Sequence, residues 1–306
     1  MYDIIIIGAG VGGLTSAIYA KEANKSVLIL EKVGAGGQLN NINKITNYPG
    51  FSQISGYELT ENIKNQALNL GAELKREEVI SVKLNEKIKK ITTHKNIYEA
   101  KAVIIATGAY AKQLELNGEK QFLGRGLSYC ATCDGNFFKE KTVAVIGGGN
   151  TSMDDCIYLN GIAKKIYLIH RREEFTATDK LLNQVKHLIG EENSKIEVLT
   201  NSVVVELKGE EKLEQIKVLN KKENTEKMLQ VEGLFVAIGR KPDTEFLNGQ
   251  VMLDESGFIL TDENMATNIK GVFAVGDVRK TPLRQVVTAC SDGAIATNSI
   301  IKGINT

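Results

Sequence analysis

The chain is poor in the residues that mark several large classes of protein. Its 306 residues include only four cysteines, three histidines and three prolines, and 38 Lys and Arg almost balance 37 Asp and Glu. A net charge of +1 leaves no field to draw the protein to nucleic acid or anionic lipid. No stretch reaches the roughly 18 uninterrupted apolar residues of a membrane span. The composition therefore predicts a globular protein with no nucleic-acid partner and no membrane partner.

The N-terminus lacks the features of a targeting signal. MYDIIIIGAGVGG places an acid before its apolar run and shows neither a basic leader nor a small-residue cleavage site. We therefore expect a cytoplasmic protein, in a compartment where a reducing thiol pool makes lasting disulfides rare. There, a close cysteine pair is more often catalytic or metal-binding than structural.

Two of the four cysteines stand close together, in the segment YCATCDGNFF at residues 129–138. A structural zinc site usually needs two such pairs, but Cys156 and Cys290 stand alone and no histidine has ligand spacing with the pair. We predict no metal, and we expect Cys156 and Cys290 to be small buried hydrophobes. A redox pair is the other interpretation, because the start of a helix favours a thiolate.

A glycine-rich loop near the N-terminus predicts a dinucleotide site. The strand DIIII runs into Gly8, Gly10 and Gly13, a helical segment follows, and a second strand, SVLILE, ends at Glu31. The glycines allow a tight turn and close approach to a pyrophosphate, and the acid suits a ribose 2′-hydroxyl.

The same layout returns 139 residues later, since TVAVI leads into Gly147 and Gly149, and KIYLIH ends at His170. This copy presents His170, Arg171 and Arg172 where the first presents Glu31, and cations there suit a ribose 2′-phosphate. The alternative for the two arginines is a solvated basic face. We predict FAD in the first site and NADPH in the second, because two nicotinamide cofactors would lack an electron relay.

Further glycine landmarks indicate where the chain passes between domains. ATGA at 106–109 and AIGRKP at 237–242 each follow a hydrophobic strand, and GVFAVGDV ends another at 278. We predict an α/β fold of two Rossmann-like domains, the second inserted into the first. The FAD domain would comprise residues 1–112 and 243–306, and the NADPH domain, which carries the cysteine pair, residues 113–242. Two short crossings can serve as a hinge.

Over essentially its full length the sequence resembles the low-molecular-weight thioredoxin reductases of bacteria and archaea. The matching motifs are GAGVGG, GGQL, NYPGF, ATGA, CATCDG, GGGNTS, HRREEF, AIGRKP, GVFAVGD and RQV. The position of CATCDG just before the second glycine loop is specific, because the larger glutathione-reductase relatives carry their pair in the first domain.

The resemblance implies a homodimeric flavoprotein that passes electrons from NADPH through FAD to a disulfide and then to thioredoxin. Cys133 would face the flavin, Cys130 would attack the partner's disulfide, and Asp134 would be the general acid; a turn or N-cap role is the alternative for Asp134. The implied FAD contacts are Lys32, Gly36, Gly37, Gln38, Asn47, Thr107, Gly108, Gly276, Asp277, Arg284, Gln285 and Val286. Asn150, Thr151, His170, Arg171 and Arg172 would contact NADPH.

The family's basic motif usually has a third arginine where this chain has Thr176. Losing one cation of three predicts a weakened preference for NADPH, with tolerance of NADH. Two other functions stay open: a flavin disulfide reductase for another thioredoxin-like or peroxiredoxin-linked partner, and a flavin redox sensor without turnover.

Overall fold

A computed structural model describes residues 1–42 and 44–304 of the chain, which divides into two compact units. The first unit comprises residues 1–110 and 241–306, and the second comprises residues 111–240. These boundaries fall two residues before the predicted ones. The nucleotide that each unit binds stays a prediction.

The strands and helices follow one another in a mixed α/β order. The strands are β1 (Tyr2–Ile7), β2 (Val27–Glu31), β3 (Glu73–Arg76), β4 (Val79–Lys83), β5 (Lys89–Thr93), β6 (Ile97–Ile105), β7 (Ala109–Ala111), β8 (Leu127–Ser128), β9 (Thr142–Ile146), β10 (Lys165–Ile169), β11 (Ile196–Leu199), β12 (Ser202–Lys208), β13 (Gln215–Asn220), β14 (Thr225–Gln230), β15 (Gly233–Val236), β16 (Arg240–Pro242) and β17 (Val272–Ala274). The α-helices are α1 (Val11–Glu22), α2 (Gly56–Asn69), α3 (Glu119–Phe122), α4 (Ala131–Asp134), α5 (Asn150–Asn160), α6 (Asp179–Ile189) and α7 (Val286–Ile304).

The first unit is built on a seven-stranded sheet in the order β3-β2-β1-β6-β5-β4, with β17 also paired to β6. β1, β2, β3, β6 and β17 are parallel, and β4 and β5 join as antiparallel strands. The isoleucine run of β1 is buried because both faces of the sheet are covered. Ile4 and Ile6 pack in one apolar cluster, whereas Ile5 and Ile7 pack in another.

Helices α1 and α7 pack closely in this unit because small residues line their contact. A Cβ on Gly293 would stand 2.4 Å from the carbonyl oxygen of Gly12, and Thr297 Oγ1 donates a hydrogen bond to the Ser16 carbonyl (3.2 Å). Ser16 and Thr297 are fully buried. This contact holds the helix that follows the first glycine loop.

The second unit has a five-stranded parallel sheet in the order β11-β10-β9-β15-β8. A separate three-stranded antiparallel sheet, β12-β13-β14, packs its apolar residues into the same unit. The unit β9-α5-β10 repeats the parallel arrangement of β1-α1-β2. The predicted fold class, α/β with two Rossmann-like units, is confirmed. Within the described parts of the chain, none of the helices combines the length and apolar character that a bilayer crossing requires.

Candidate active site and nucleotide loops

β1 ends in the first glycine loop, which leads directly into α1. Gly8 has a φ of +105°, and a Cβ there would stand 2.4 Å from the carbonyl oxygen of Ala106, so the position requires glycine. Gly10 is the N-cap of α1; no described side chain caps this helix end, and its first turn carries no acid. A Cβ on Gly10 would meet nothing within 4 Å. The loop therefore leaves room for an anion beside the first backbone amides of α1.

Glu31 lies at the end of β2, with its carboxylate held against this loop. One oxygen accepts a hydrogen bond from the Ala9 N–H (2.9 Å) and the other from the Val33 N–H (2.9 Å). Each oxygen retains a lone pair, so the fixed carboxylate can still accept from a ribose hydroxyl. The neighbouring Lys32 instead forms an ion pair with Asp243.

The other residues assigned to the flavin lie on loops of the same unit. Thr107 and Gly108 follow β6, and Gly276 and Asp277 follow β17, so these loops leave the carboxyl edge of parallel strands. This edge is where open α/β sheets bind ligands. Gly8, Glu31 and these two loops therefore share one edge, and the open amides and the oriented carboxylate fit the pyrophosphate and ribose of FAD.

Two further contacts join distant segments that the sequence assigns to the flavin. The Gly36 N–H donates to the Ala9 carbonyl (2.8 Å), which holds the segment of Gly36, Gly37 and Gln38 to the glycine loop. The Asn47 amide donates to Gln285 Oε1 (3.0 Å). Arg284 lies over the ring of Phe258, 4.3 Å from its centroid, and Val286 begins α7.

β9 ends in the second glycine loop, which repeats the geometry of the first. Gly147 has a φ of +154°, and a Cβ there would stand 2.5 Å from the Ala237 carbonyl oxygen. Gly149 is the N-cap of α5, again with no described side-chain cap and no acid in the first turn. A Cβ on Gly149 would find only Thr176 Oγ1, at 3.9 Å. This loop therefore also offers backbone amides to an anion.

His170 lies beneath the second loop. Its side chain is 6% exposed, its Nε2 lies 2.9 Å from the Glu174 carbonyl oxygen, and its ring stacks on Phe175. A Cβ on Gly148 would stand 2.1 Å from the imidazole ring. Burial lowers the pKa of His170, with Arg171 and Arg172 contributing in the same direction. In this geometry the His170 ring supports the glycine loop from below. Its direct contact with NADPH stays a prediction.

Arg171 and Arg172 are exposed on a loop that is hydrogen-bonded to the second glycine loop. The Thr176 N–H and hydroxyl both donate to the Gly148 carbonyl, at 2.7 and 3.1 Å, and the Thr178 N–H donates to Asn150 Oδ1 (2.8 Å). Thr151, the next residue of α5, is exposed. Position 176 therefore lies at the glycine loop, on the same segment as Arg171 and Arg172.

Cys130 and Cys133 form a disulfide at the start of α4. Cys130 is the N-cap, and α4 is a single turn that continues into a 3-10 turn, Gly135–Phe138. The sequence predicts a helix whose N-terminus favours a thiolate. A helix this short has a weak dipole, so the dipole stabilises a thiolate less than the sequence predicts. Both cysteines are partly exposed.

Asp134 directly follows the pair and is linked to it through Ser128. The Ser128 hydroxyl donates to Asp134 Oδ2 (2.6 Å), and the Cys130 N–H donates to Ser128 Oγ (3.0 Å). Burial raises the pKa of Asp134, and the Ser128 bond opposes that rise. A carboxyl whose pKa is raised, next to a disulfide, is suited to general acid catalysis.

The two remaining cysteines differ from each other. Cys156 is fully buried, and burial raises the pKa of its thiol to about 12, so it stays protonated as expected for a core residue. Cys290 is only partly buried, which corrects the expectation of a buried hydrophobe. Its sulfur lies 4.0 Å from the Tyr48 hydroxyl, and both side chains pack against the apolar cluster that contains Ile4 and Ile6. Among the described residues, no cluster of three His, Cys, Asp or Glu side chains is placed to hold a metal.

The site geometry can be compared with known proteins. A family model described as pyridine nucleotide-disulphide oxidoreductase matches residues 2–293. The chain belongs to this family. Thioredoxin reductase of Borreliella burgdorferi is 43% identical over 96% of this chain and 89% of the relative, and that of Treponema pallidum is 40% identical over 100% and 98%. The structure of thioredoxin reductase from Streptococcus pyogenes MGAS5005 is 38% identical with a TM-score of 0.92, covering 100% of this chain and 98% of that one.

Membership of this pyridine nucleotide-disulphide oxidoreductase family implies a flavin and a pyridine nucleotide, and agrees with the resemblance drawn from the sequence. The structure adds residues that the sequence analysis missed. Ser128 contacts Asp134, and Asp292 accepts from the Gly276 N–H (3.0 Å) and from Arg279 Nε (2.7 Å). Asp292 could be singled out from the sequence because it is an acidic residue within the apolar sequence of α7. No pattern pointed to Ser128.

Proposed function

We propose that the protein is an NADPH-dependent flavoprotein that reduces the disulfide of thioredoxin through Cys130 and Cys133. The observation that carries the proposal is the Cys130–Cys133 disulfide with the Asp134 carboxyl next to it, in the same unit as the second glycine loop. The printed names of the relatives, thioredoxin reductases over nearly the whole chain, support the choice of partner.

The two glycine loops divide the nucleotides between the units. Gly8, Gly10 and Gly13 would receive the pyrophosphate of FAD and Glu31 its ribose, so the first unit, residues 1–110 and 241–306, would be the FAD domain. Gly147, Gly149, Asn150 and Thr151 would receive NADPH in the second unit, residues 111–240. Bound FAD supplies a two-electron carrier between the nicotinamide and the disulfide.

Reduction of the Cys130–Cys133 bond by two electrons and one proton leaves a thiolate on Cys130 and a thiol on Cys133. Cys130 Sγ attacks one sulfur of the thioredoxin disulfide; a mixed disulfide forms, and the electron pair leaves on the second thioredoxin sulfur. Asp134 gives its proton to that sulfur. A partly buried carboxyl with a raised pKa is able to hold this proton until it is needed.

The second half of the exchange restores the disulfide. The Asp134 carboxylate takes the proton of the Cys133 thiol, and Cys133 Sγ attacks Cys130 Sγ. The Cys130–Cys133 bond forms again, and the first thioredoxin sulfur leaves as a thiolate that takes a proton from water. Thioredoxin has then gained two electrons and two protons, and Asp134 is protonated as at the start.

Arg171 and Arg172 would bind the 2′-phosphate of NADPH. Both are exposed, and hydrogen bonds already hold the backbone of their segment to the glycine loop, so binding has only the two side chains to order. With Thr176 in place of a third arginine, the preference for NADPH over NADH is reduced rather than lost. We further propose that the protein is cytoplasmic and forms a homodimer. Sedimentation equilibrium of the purified protein tests the dimer.

The test is turnover. Purified protein, NADPH and oxidised thioredoxin should release thioredoxin thiols rapidly, and Cys130→Ser and Cys133→Ser should each abolish release. Activity with another dithiol carrier and none with thioredoxin would make that carrier the substrate. No activity with any carrier would leave a flavin redox sensor.

A further inference from the structure

The Ser128 hydroxyl contacts both the Asp134 side chain and the backbone of Cys130. The residue ends β8, only 3% of its surface is exposed, and its hydroxyl lies between the Asp134 side chain and the Cys130 backbone. Its oxygen is 2.6 Å from Asp134 Oδ2, 3.0 Å from the Cys130 nitrogen and 3.3 Å from the Cys130 carbonyl oxygen. One side chain therefore touches the proposed acid and the proposed nucleophile's backbone.

These distances give the hydroxyl proton two acceptors. When Asp134 is a carboxylate, the Ser128 O–H donates to Oδ2, and the Ser128 oxygen accepts from the Cys130 N–H. When Asp134 is protonated on Oδ2, that proton can be donated to the Ser128 oxygen, and the Ser128 O–H turns to the Cys130 carbonyl. A hydroxyl has one donor and two acceptor lone pairs, so both arrangements are satisfied.

We propose that Ser128 is a positioning residue whose hydroxyl rotates between Asp134 and the Cys130 carbonyl, and so holds the Asp134 carboxyl in one place in both of its protonation states. A general acid must change protonation in every turnover without losing its orientation. A fixed donor such as a backbone N–H would favour only the carboxylate. The inference rests on the proposed function, because Asp134 is taken as the acid of the exchange.

The groups around Asp134 favour this assignment. Burial raises its pKa, and the Ser128 bond is the contact that lowers it. Helix α5 packs against α4 and carries Asp154 and Asp155; burial raises the pKa of both, that of Asp155 to about 7. Arg240 lowers the pKa of Asp155, but no charged side chain of the described residues shifts the pKa of Asp134, so the hydrogen bond that orients Asp134 comes from its neutral partner, Ser128.

The first test measures the protonation of Asp134 without any partner protein. Infrared titration of the oxidised holoenzyme, with ¹³C-labelled aspartate and with Asp134→Asn as the subtraction reference, isolates this carboxyl from Asp154 and Asp155. Ser128→Ala should raise the pKa of Asp134, because a charge-assisted bond to the carboxylate is stronger than the neutral bond that replaces it. Ser128→Thr, which retains the hydroxyl, should restore the wild-type value. An unchanged pKa in Ser128→Ala overturns the proposal.

The second test asks whether Ser128 acts through Asp134. Dithiothreitol-reduced protein, freed of dithiothreitol, is mixed with a dialkyl disulfide, whose leaving thiolate is basic enough to need a proton, and the release of the alkyl thiol is followed by quenched flow. Ser128→Ala should slow release by about tenfold, part of the usual contribution of a positioned acid. Added to Asp134→Asn, it should cost nothing more. An equal loss in both backgrounds would overturn the proposal, because Ser128 would then act on Cys130 alone.

The two proposals fail in distinguishable ways. If the wild-type holoenzyme does not reduce thioredoxin, the proposed function falls, whereas the infrared shift of Asp134 in Ser128→Ala is unaffected. If thioredoxin is reduced and the shift is absent, the function holds and the role of Ser128 does not.

Discussion

The carboxylates of this chain differ in protonation because different groups face them. Burial raises the pKa of Asp134, and the hydrogen bond from the Ser128 hydroxyl only partly offsets this rise. Asp3, at the start of β1, accepts from Lys101 Nζ (2.8 Å) and from the Ser26 N–H and hydroxyl (both 2.9 Å). These bonds, that of Lys101 foremost, lower the pKa of Asp3 to about 2. The raised pKa of Asp134 favours its use as an acid, whereas Asp3 is an anion at neutral pH whose hydrogen bonds join β1 to Ser26 and Lys101.

Replacing Asp3 should change how stability depends on pH. A carboxyl whose pKa is depressed by folding stabilises the protein above its unfolded pKa, and this contribution is lost as pH falls from about 4 to about 2. Asp3→Asn should lower the free energy of unfolding by about 1–2 kcal/mol at neutral pH, after allowance for partial exposure, and by much less near pH ~2, where half of the carboxyl is protonated in the folded state. Urea unfolding across this range measures it, with Lys101→Met losing most of the same dependence. A loss independent of pH would contradict the assignment.

Position 176 decides a second property of single residues, the choice of coenzyme. Thr176→Arg places a third cation beside the glycine loop and should lower KM for NADPH about fivefold, since one partly solvated charge contributes on the order of 1 kcal/mol. KM for NADH should not fall. Thr176→Gln is the matched control, because it loses the same hydroxyl bond to Gly148 without adding charge. Equal effects of both variants on NADPH would show that the bond, not the charge, matters.

At the scale of elements, the contact of α1 with α7 depends on glycine. Gly293→Ala would press a methyl group against the Gly12 carbonyl, 2.4 Å away, and should destabilise the protein by about 1–3 kcal/mol. Gly303→Ala, on the same helix with open space around its Cβ position, should be neutral or stabilise by up to ~1 kcal/mol. Thermal unfolding compares them. Equal melting temperatures would mean that the helices move apart without cost.

The sequence predicts best those elements whose residues must follow a fixed local order. Each βαβ unit was located because a buried strand, a glycine loop and a helix impose a fixed order, and the structure has both. The sheet β12-β13-β14 was not predicted, since its register depends on pairing across turns rather than on a motif. For the same reason the link from Ser128 to Asp134 and that from Asp292 to Gly276 were missed: each joins residues with no periodic relation. Cys130, Cys133 and Asp134 are adjacent in sequence, so their grouping could be seen.

At the scale of the whole molecule, the proposal needs two redox groups in one chain. The flavin would be held by residues of the first unit, and the disulfide lies in the second. Each group accepts two electrons. The number of electrons that one chain takes up therefore reports whether both groups are connected, whatever the path between them.

Anaerobic titration of the yellow holoprotein with dithionite and with NADPH counts these electrons. The wild-type chain should take up about four electrons per subunit from either reductant, two for the flavin and two for the disulfide. Cys130→Ser and Cys133→Ser, which lack the disulfide, should take up about two and should still be bleached by NADPH. The two variants control for each other, because either serine removes the disulfide and leaves the glycine loops intact. If wild-type protein took up about two electrons from NADPH but about four from dithionite, the disulfide would lie outside the NADPH circuit, and reduction of thioredoxin through Cys130 would be excluded.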